Sequence, residues 1–321
     1  GLEGPRPWTP PREGPRPASP GRRHARSWIM KPWVAGGVLA GTMCFTLTCY
    51  FFQIPDELRK KNGRSGRWGP PNAEFNWCEP DYELVDWMAE PVNTVSNLVF
   101  VILPAAFMAA HKARGDVVVM AVLIMAIGVG SILFHGSLRY TMQLADELPM
   151  FWYALVNVAS ILERLRGIHI ARPLAAWAVL VSALTLLTEQ HSLLHEAFRL
   201  LMSLSFAVAV IIMGWGSTAG TARIKAEAKR RHVPRIIERF HLVAFLMFVL
   251  ALVCWLSDNY FCSALQKLPF GLPYPHLHMW WHLLTGGAVY SMLCFFHADD
   301  RRASEDFSIG VRFGILPVVL G

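Results

Sequence analysis

Charge is scarce in this chain: Asp, Glu, Lys and Arg make up only 17% of its 321 residues, against 54% that are hydrophobic. A soluble two-domain enzyme of this length carries about 25% charged residues, so that class is excluded. Long polar stretches are scarce as well, and a series of apolar runs fills their place. A helix that crosses a bilayer needs roughly 20 mostly apolar residues. Eight runs are candidates, near 33–52, 92–110, 116–135, 143–162, 173–188, 197–214, 240–257 and 279–297. The short connections between several of them predict an all-α integral membrane protein, one compact bundle rather than separate domains.

Positive charge is present, with a net +7, but it lacks the arrangement that nucleic-acid binding requires. The basic residues are neither gathered on an amphipathic helix nor interleaved with aromatics; they lie between the apolar runs. One set of loops holds Lys112 and Arg114, then Arg164, Arg166 and Arg172, then Arg223, Lys225, Lys229, Arg230, Arg231, Arg235 and Arg239, then Arg301, Arg302 and Arg312. The alternate loops hold Arg139, nothing in 189–195, and Lys267. The positive-inside rule makes the first set cytosolic and the second lumenal. Residues 53–91 are then a lumenal loop, 92–300 a seven-helix bundle and 301–321 a cytosolic tail. The run at 33–52 becomes an additional N-terminal helix, preceded by an arm of Pro, Gly and Arg (residues 1–32) that cannot build a core. A cleavable signal peptide beginning at Met30 and Lys31 is the competing reading of that helix.

Cysteine is sparse too. Of six, Cys44, Cys49, Cys254 and Cys294 fall inside apolar runs and read as small hydrophobes. Cys78 and Cys262 both land on the lumenal side, where an oxidising compartment lets them pair, and a disulfide between them is expected.

An ionisable side chain at membrane depth costs at least a few kcal/mol, so each one needs a partner or a purpose. Three segments break the apolar pattern. One run ends "GSILFHGS", with Ser131 and His135 four residues apart; the next begins "QLADELPM", with Asp146 and Glu147 just inside it; the last begins "HLHMWWHLLTGG", with His276, His278 and His282. Residues four apart share a helix face, which pairs Ser131 with His135 and His278 with His282. His276 follows Pro275 and points elsewhere, so it is set aside. The inferred directions of the three helices bring all of these groups to one membrane level. Three imidazoles with a neighbouring carboxylate suit zinc, which commonly takes three protein ligands and leaves a fourth position for water. His135, His278 and His282 would be the ligands and Asp146 the general base. Ser131 would steady an oxyanion or the attacking water. The structural alternatives are packed core histidines, an Asp146 that merely orients one of them, and a helix-packing serine.

The stretch "NWCEPDYELVDWMAEPVNTVSN" from Asn76 to Asn97 offers side-chain oxygens at Asn76, Glu79, Asp81 and Glu90. Hard oxygen donors from a loop suit calcium, although the spacing is not that of an EF-hand. A solvated acidic surface is the competing reading, and Glu83 and Asp86 are the first candidates for ordinary exposed charge.

Taken together, "RWGPPNAEFNWCEPDY", "AEPVNTVSN", "GSILFHGSLRYTMQLADELPM", "WLSDNYFC", "HMWWHLLTGG" and "FGILPVVL" resemble the alkaline ceramidase family of intramembrane hydrolases, in order over about residues 66 to 320. The resemblance implies a seven-helix fold with zinc on His135, His278 and His282, and Ser131 and Asp146 beside it. It also implies a calcium site from Asn76, the main-chain carbonyl of Trp77, Glu79, Asp81 and Glu90. Where this chain has Asn76 the family typically has aspartate, which removes one negative charge from that site. The resemblance says nothing of the helix at 33–52. The implied substrate is ceramide, cleaved to a sphingoid base and a fatty acid, in the membrane of the endoplasmic reticulum or Golgi, with the metal sites lumenal and the C-terminus cytosolic. Competing classes are a seven-helix receptor of the adiponectin and progestin type, another lipid-remodelling hydrolase acting on anchored proteins, and a zinc transporter. The "NWCEPDY" loop favours the ceramidase reading, and apolar helices below the site argue against a transporter.

Overall fold

The computed structural model describes residues 66–231, 236–301, 308–312 and 316–320. The arm at 1–32 and the helix expected at 33–52 lie outside the described residues. Helices cover every later apolar run: α1 (Pro91–Ser96), α2 (Val99–Ala110), α3 (Gly115–Ser137), α4 (Tyr140–Arg166), α5 (Ala171–Leu187), α6 (Leu193–Arg231), α7 (Ile236–Tyr260), the short α8 (Cys262–Leu265) and α9 (Leu277–Arg301). By length and apolarity three stretches suffice to cross a membrane, namely Pro91–Ala110, Gly115–Ser137 and Leu193–Gly220; Ala171–Leu187 and Ala244–Tyr260 are shorter apolar helices. Two short antiparallel strands, β1 (Ser308–Arg312) and β2 (Leu316–Leu320), pair in the segment expected as a tail.

Local chemistry sets the boundaries. Pro91 opens α1, where its missing N–H costs nothing. The α3–α4 connection is one tight turn, with Leu138 in the left-handed region (φ 51°) and Arg139 capping the next helix. Gly167 ends α4 in the same region (φ 69°), and Ile168 N–H reaches back to the Leu162 carbonyl as in a Schellman cap. The basic stretch from Arg223 is not the loop that the charge pattern implied: α6 continues through it to Arg231, because Lys, Arg, Ala and Glu are good helix formers once a helix is under way.

The helices close a ring in the order α2, α3, α4, α6, α7, α9 and back to α2, with α5 lying outside against α4 and α6. Its middle is apolar, filled by Phe107, Met120, Ile124, Leu293 and Phe296. Both ends are polar. At the end away from the acidic loop, Arg164 binds Asp116 and Asp300, and Arg223 binds Asp299 at 3.0 Å. These arginines therefore link α3, α4, α6 and α9 rather than marking exposed loops.

At the other end, Pro149 lies inside α4 and has no N–H to give the Ala145 carbonyl, its regular partner in the helix. Gly130 of α3 packs against that carbonyl: a Cβ there would stand 2.2 Å from the Ala145 oxygen. The close approach seats Ser131 of α3 beside Asp146 of α4. The loop from Gly66 to Glu90 covers this end, and a disulfide joins Cys78 to Cys262, as the topology led us to expect.

Gly130→Ala is expected to lower stability by about 1–3 kcal/mol, since the clash is with backbone and cannot be relieved by a rotamer change; a thermal melt of the purified protein checks it.

Candidate functional site

The acidic loop, α1, and the adjoining ends of α3, α4, α7 and α9 meet at one point, where His135, His278 and His282 converge. All three are buried, and one nitrogen from each lies within 4.8 Å of the others. Ring centroids are 5.0 Å apart for His135 with His278 and with His282, and 4.5 Å for His278 with His282. Among the described residues this is the one group of histidine, cysteine or acidic side chains gathered tightly enough to hold an ion. Helical spacing had paired His278 with His282; the fold supplies His135 from 143 residues away in the chain. His276 is not part of the group: it sits in the loop before α9 in the left-handed region (φ 48°).

Each ring is held by its surroundings. His135 Nδ1 lies 2.6 Å from Glu90 Oε2, and a fully buried carboxylate there makes Nδ1 the donor. His282 Nδ1 lies 2.8 Å from Ser96 Oγ, whose hydrogen is given to the Asn93 carbonyl at 2.9 Å, so the imidazole again donates from Nδ1. Both rings therefore keep Nε2 as a lone-pair donor. His278 is fixed differently, by face-to-face stacking on Trp77 at 3.7 Å between centroids and 16° between planes. Three imidazoles, two of them with the carboxylate or hydroxyl partner that metal-bound histidines usually have, match the donor set of a catalytic zinc.

On α3, one helical turn before His135, Ser131 meets Asp146 of α4. They hydrogen-bond to each other across the α3–α4 contact, and Asp146 Oδ1 has no partner among the described residues. Next to Asp146 in sequence, Glu147 turns the other way and meets Arg199, which also binds Glu74 at 2.6 Å. Burial pushes the Glu74 carboxyl up, and Arg199 pulls it back.

The acidic loop is built around buried carboxylates. Glu79, Asp81 and Glu90 are 2%, 7% and 0% exposed, which removes the solvated-surface reading for these three; Glu83 and Asp86 are exposed, as expected. Glu79 caps α1 by accepting from the N–H groups of Val92 and Asn93, each at 2.8 Å. Asp81 accepts from the Asn76 amide at 2.9 Å, and Glu90 accepts from Trp77 N–H at 3.1 Å and the Asn93 amide at 3.2 Å. Glu90 thus touches the loop and the histidine cluster at once.

Sequence reasoning placed Glu90 only in the acidic loop and missed Ser96 and Asp258. Asp258 Oδ2 accepts from Cys78 N–H at 3.0 Å, and its Oδ1 accepts from His278 N–H at 3.3 Å and from the Tyr274 hydroxyl. Burial first, and then the Asp258 charge, raise the Tyr274 phenol above its usual range, so it stays a donor. The "WLSDNYFC" run held the signal for Asp258: an acid at the end of an apolar helix.

A family model for ceramidases matches residues 69–308. The chain is similar to alkaline ceramidase 3 of Mus musculus, 26% identical over 272 residues that span 80% of this chain and 95% of the relative. It is also similar to an alkaline ceramidase of Drosophila melanogaster, 27% identical over 71% of this chain and 77% of the relative. A third relative is alkaline ceramidase YPC1 of Saccharomyces cerevisiae, 26% identical over 70% of this chain and 76% of that protein.

Ser96→Ala removes the hydroxyl at His282 Nδ1 and leaves that ring only its bond to the Asn93 backbone. We expect metal affinity to fall about tenfold while the fold is kept, read from zinc competition with a chromogenic chelator.

Proposed function

The chain belongs to the ceramidase family, and on that premise we propose that it is a zinc-dependent hydrolase that cleaves the amide bond of ceramide within the membrane, releasing a sphingoid base and a fatty acid. The observation that carries this reading is the convergence of three buried imidazoles, with Ser131 of the Ser131–Asp146 pair one helical turn from His135. The family match covers the acidic loop as well as the histidines, which favours a hydrolase over the receptor and transporter readings.

His135, His278 and His282 would hold the zinc, which when bound supplies a Lewis acid for the amide carbonyl and lowers the pKa of water. Asp146, through Oδ1, accepts the proton of the attacking water and returns it to the departing nitrogen. One C–O bond forms, the C–N bond breaks, and that proton leaves on the amine. Ser131 Oγ orients Asp146 and turns to the oxyanion as charge develops. The polar end keeps the amide near headgroup level, and the two lipid chains stay in the apolar surroundings of the bilayer.

Calcium is the second cation of this reading. Asn76, the Trp77 carbonyl, Glu79, Asp81 and Glu90 are its donors, and the burial of three carboxylates in one loop is what supports a cation there. The Cys78–Cys262 bond supports placing the site end in an oxidising lumen, endoplasmic reticulum or Golgi, with seven spans and a cytosolic C-terminus.

Purified protein should release fatty acid from ceramide, and zinc removal should abolish this. His278→Ala should abolish it too, and Asp146→Asn should lower turnover about 10²–10⁴-fold; turnover intact in both variants overturns the assignment. Calcium should raise the melting temperature of the wild type, less so in Asp81→Asn and more tightly in Asn76→Asp; equal responses in all three remove the calcium site.

A further inference from the structure

Asp258 lies outside the cluster proposed to do the chemistry, yet three segments that build that cluster end on its carboxylate. It stands in the last turn of α7 and is 1% exposed. Its Oδ2 holds the N–H of Cys78, and its Oδ1 holds the N–H of His278 and the hydroxyl of Tyr274. We propose that Asp258 is a positioning residue for zinc binding, fixing the His278 imidazole from two sides. This rests on the reading of His135, His278 and His282 as the zinc ligands.

The first side is the backbone. His278 is in the first turn of α9, where amide N–H groups have no acceptor within the helix and favour an anion. Two residues before it, His276 has φ 48°, a conformation that costs a non-glycine residue energy and persists only when its surroundings impose it. Asp258 grips the chain on both flanks of that residue, at Tyr274 and at His278. Without the carboxylate, the turn loses the anchors that hold it strained and the first turn of α9 can unwind.

The second side is the ring face. Trp77 stacks on His278 at 3.7 Å, and it is placed by the Glu90 bond to its N–H and by the residue after it, Cys78. Cys78 is held by the Asp258 bond through its N–H, by Gln266 Nε2 at 2.8 Å on its carbonyl, and by the disulfide to Cys262. One carboxylate therefore anchors the backbone beneath the imidazole and, together with Glu90 on the Trp77 N–H, the segment that carries the indole above it. The rings of His135 and His282 are held by Glu90 and Ser96.

The test uses the full chain in detergent micelles, with zinc affinity read by chelator competition and turnover read on ceramide. Asp258→Ala should weaken zinc binding about 10–100-fold, and added zinc should restore a large part of kcat with little change in KM. Tyr274→Phe removes one anchor and one oxygen atom, so it keeps the proposal testable if Asp258→Ala does not fold; it should weaken zinc binding about threefold to tenfold. The Cys262→Ser variant controls for general loosening of the loop and should lower the melting temperature with a smaller loss of zinc affinity than Asp258→Ala. Wild-type zinc affinity in the Asp258 and Tyr274 variants, even with a lowered melting temperature, overturns the positioning role. A wild type that hydrolyses ceramide without binding zinc instead overturns the reading on which the proposal rests.

Discussion

A carboxylate with no access to water must be met by donors, and in this protein that demand organises the site. Glu90 is fully buried and is met by the imidazole of His135, the backbone of Trp77 and the amide of Asn93. Those groups belong to α3, to the loop before the bundle and to the short helix α1 that follows it. Satisfying the charge fixes all three segments relative to one another. Removing any one donor would leave a buried charge short of a partner, which costs more than the bond itself contributes. The same carboxylate also sets the His135 tautomer, so the stability of the loop and the chemistry of the ring share one interaction.

Buried acids act as joints elsewhere too. Glu79 ties the loop to the start of α1, and Asp258 ties it to α7 and α9. At the far end, Asp116, Asp299 and Asp300 are joined to Arg164 and Arg223. Between these two polar layers the helices meet through apolar side chains. Such an arrangement suits a chain that must satisfy every polar group within itself wherever lipid replaces water. Polar joints lock both ends of the ring, and packed apolar side chains fill the interior between them.

Much of the fold was legible because apolar runs of sufficient length have few alternatives. The pairing of His278 with His282 was legible from helical spacing, and that of Cys78 with Cys262 from the common side that the charge pattern assigned to them. The exposed Glu83 and Asp86 were legible as well. The basic residues misled in part: Arg164 and Arg223 carry the positive-inside pattern, but they are bound to aspartates at helix ends, and the stretch after Arg223 is helical. Charge counts along the chain do not distinguish a solvated arginine from one whose partner is 136 residues distant.

What the sequence by itself determined is periodic and local: which residues are apolar enough for lipid, which share a helix face, and which segments are too polar to be buried without help. Only the tertiary structure decided the partners. Glu90 reaches His135 across 45 residues, Asp258 reaches Cys78 across 180, and Ser96 reaches His282 across 186. Their physical basis is shared: a side chain's composition says that it needs a partner, whereas its identity follows from how helices close into a ring, which no single stretch of chain contains.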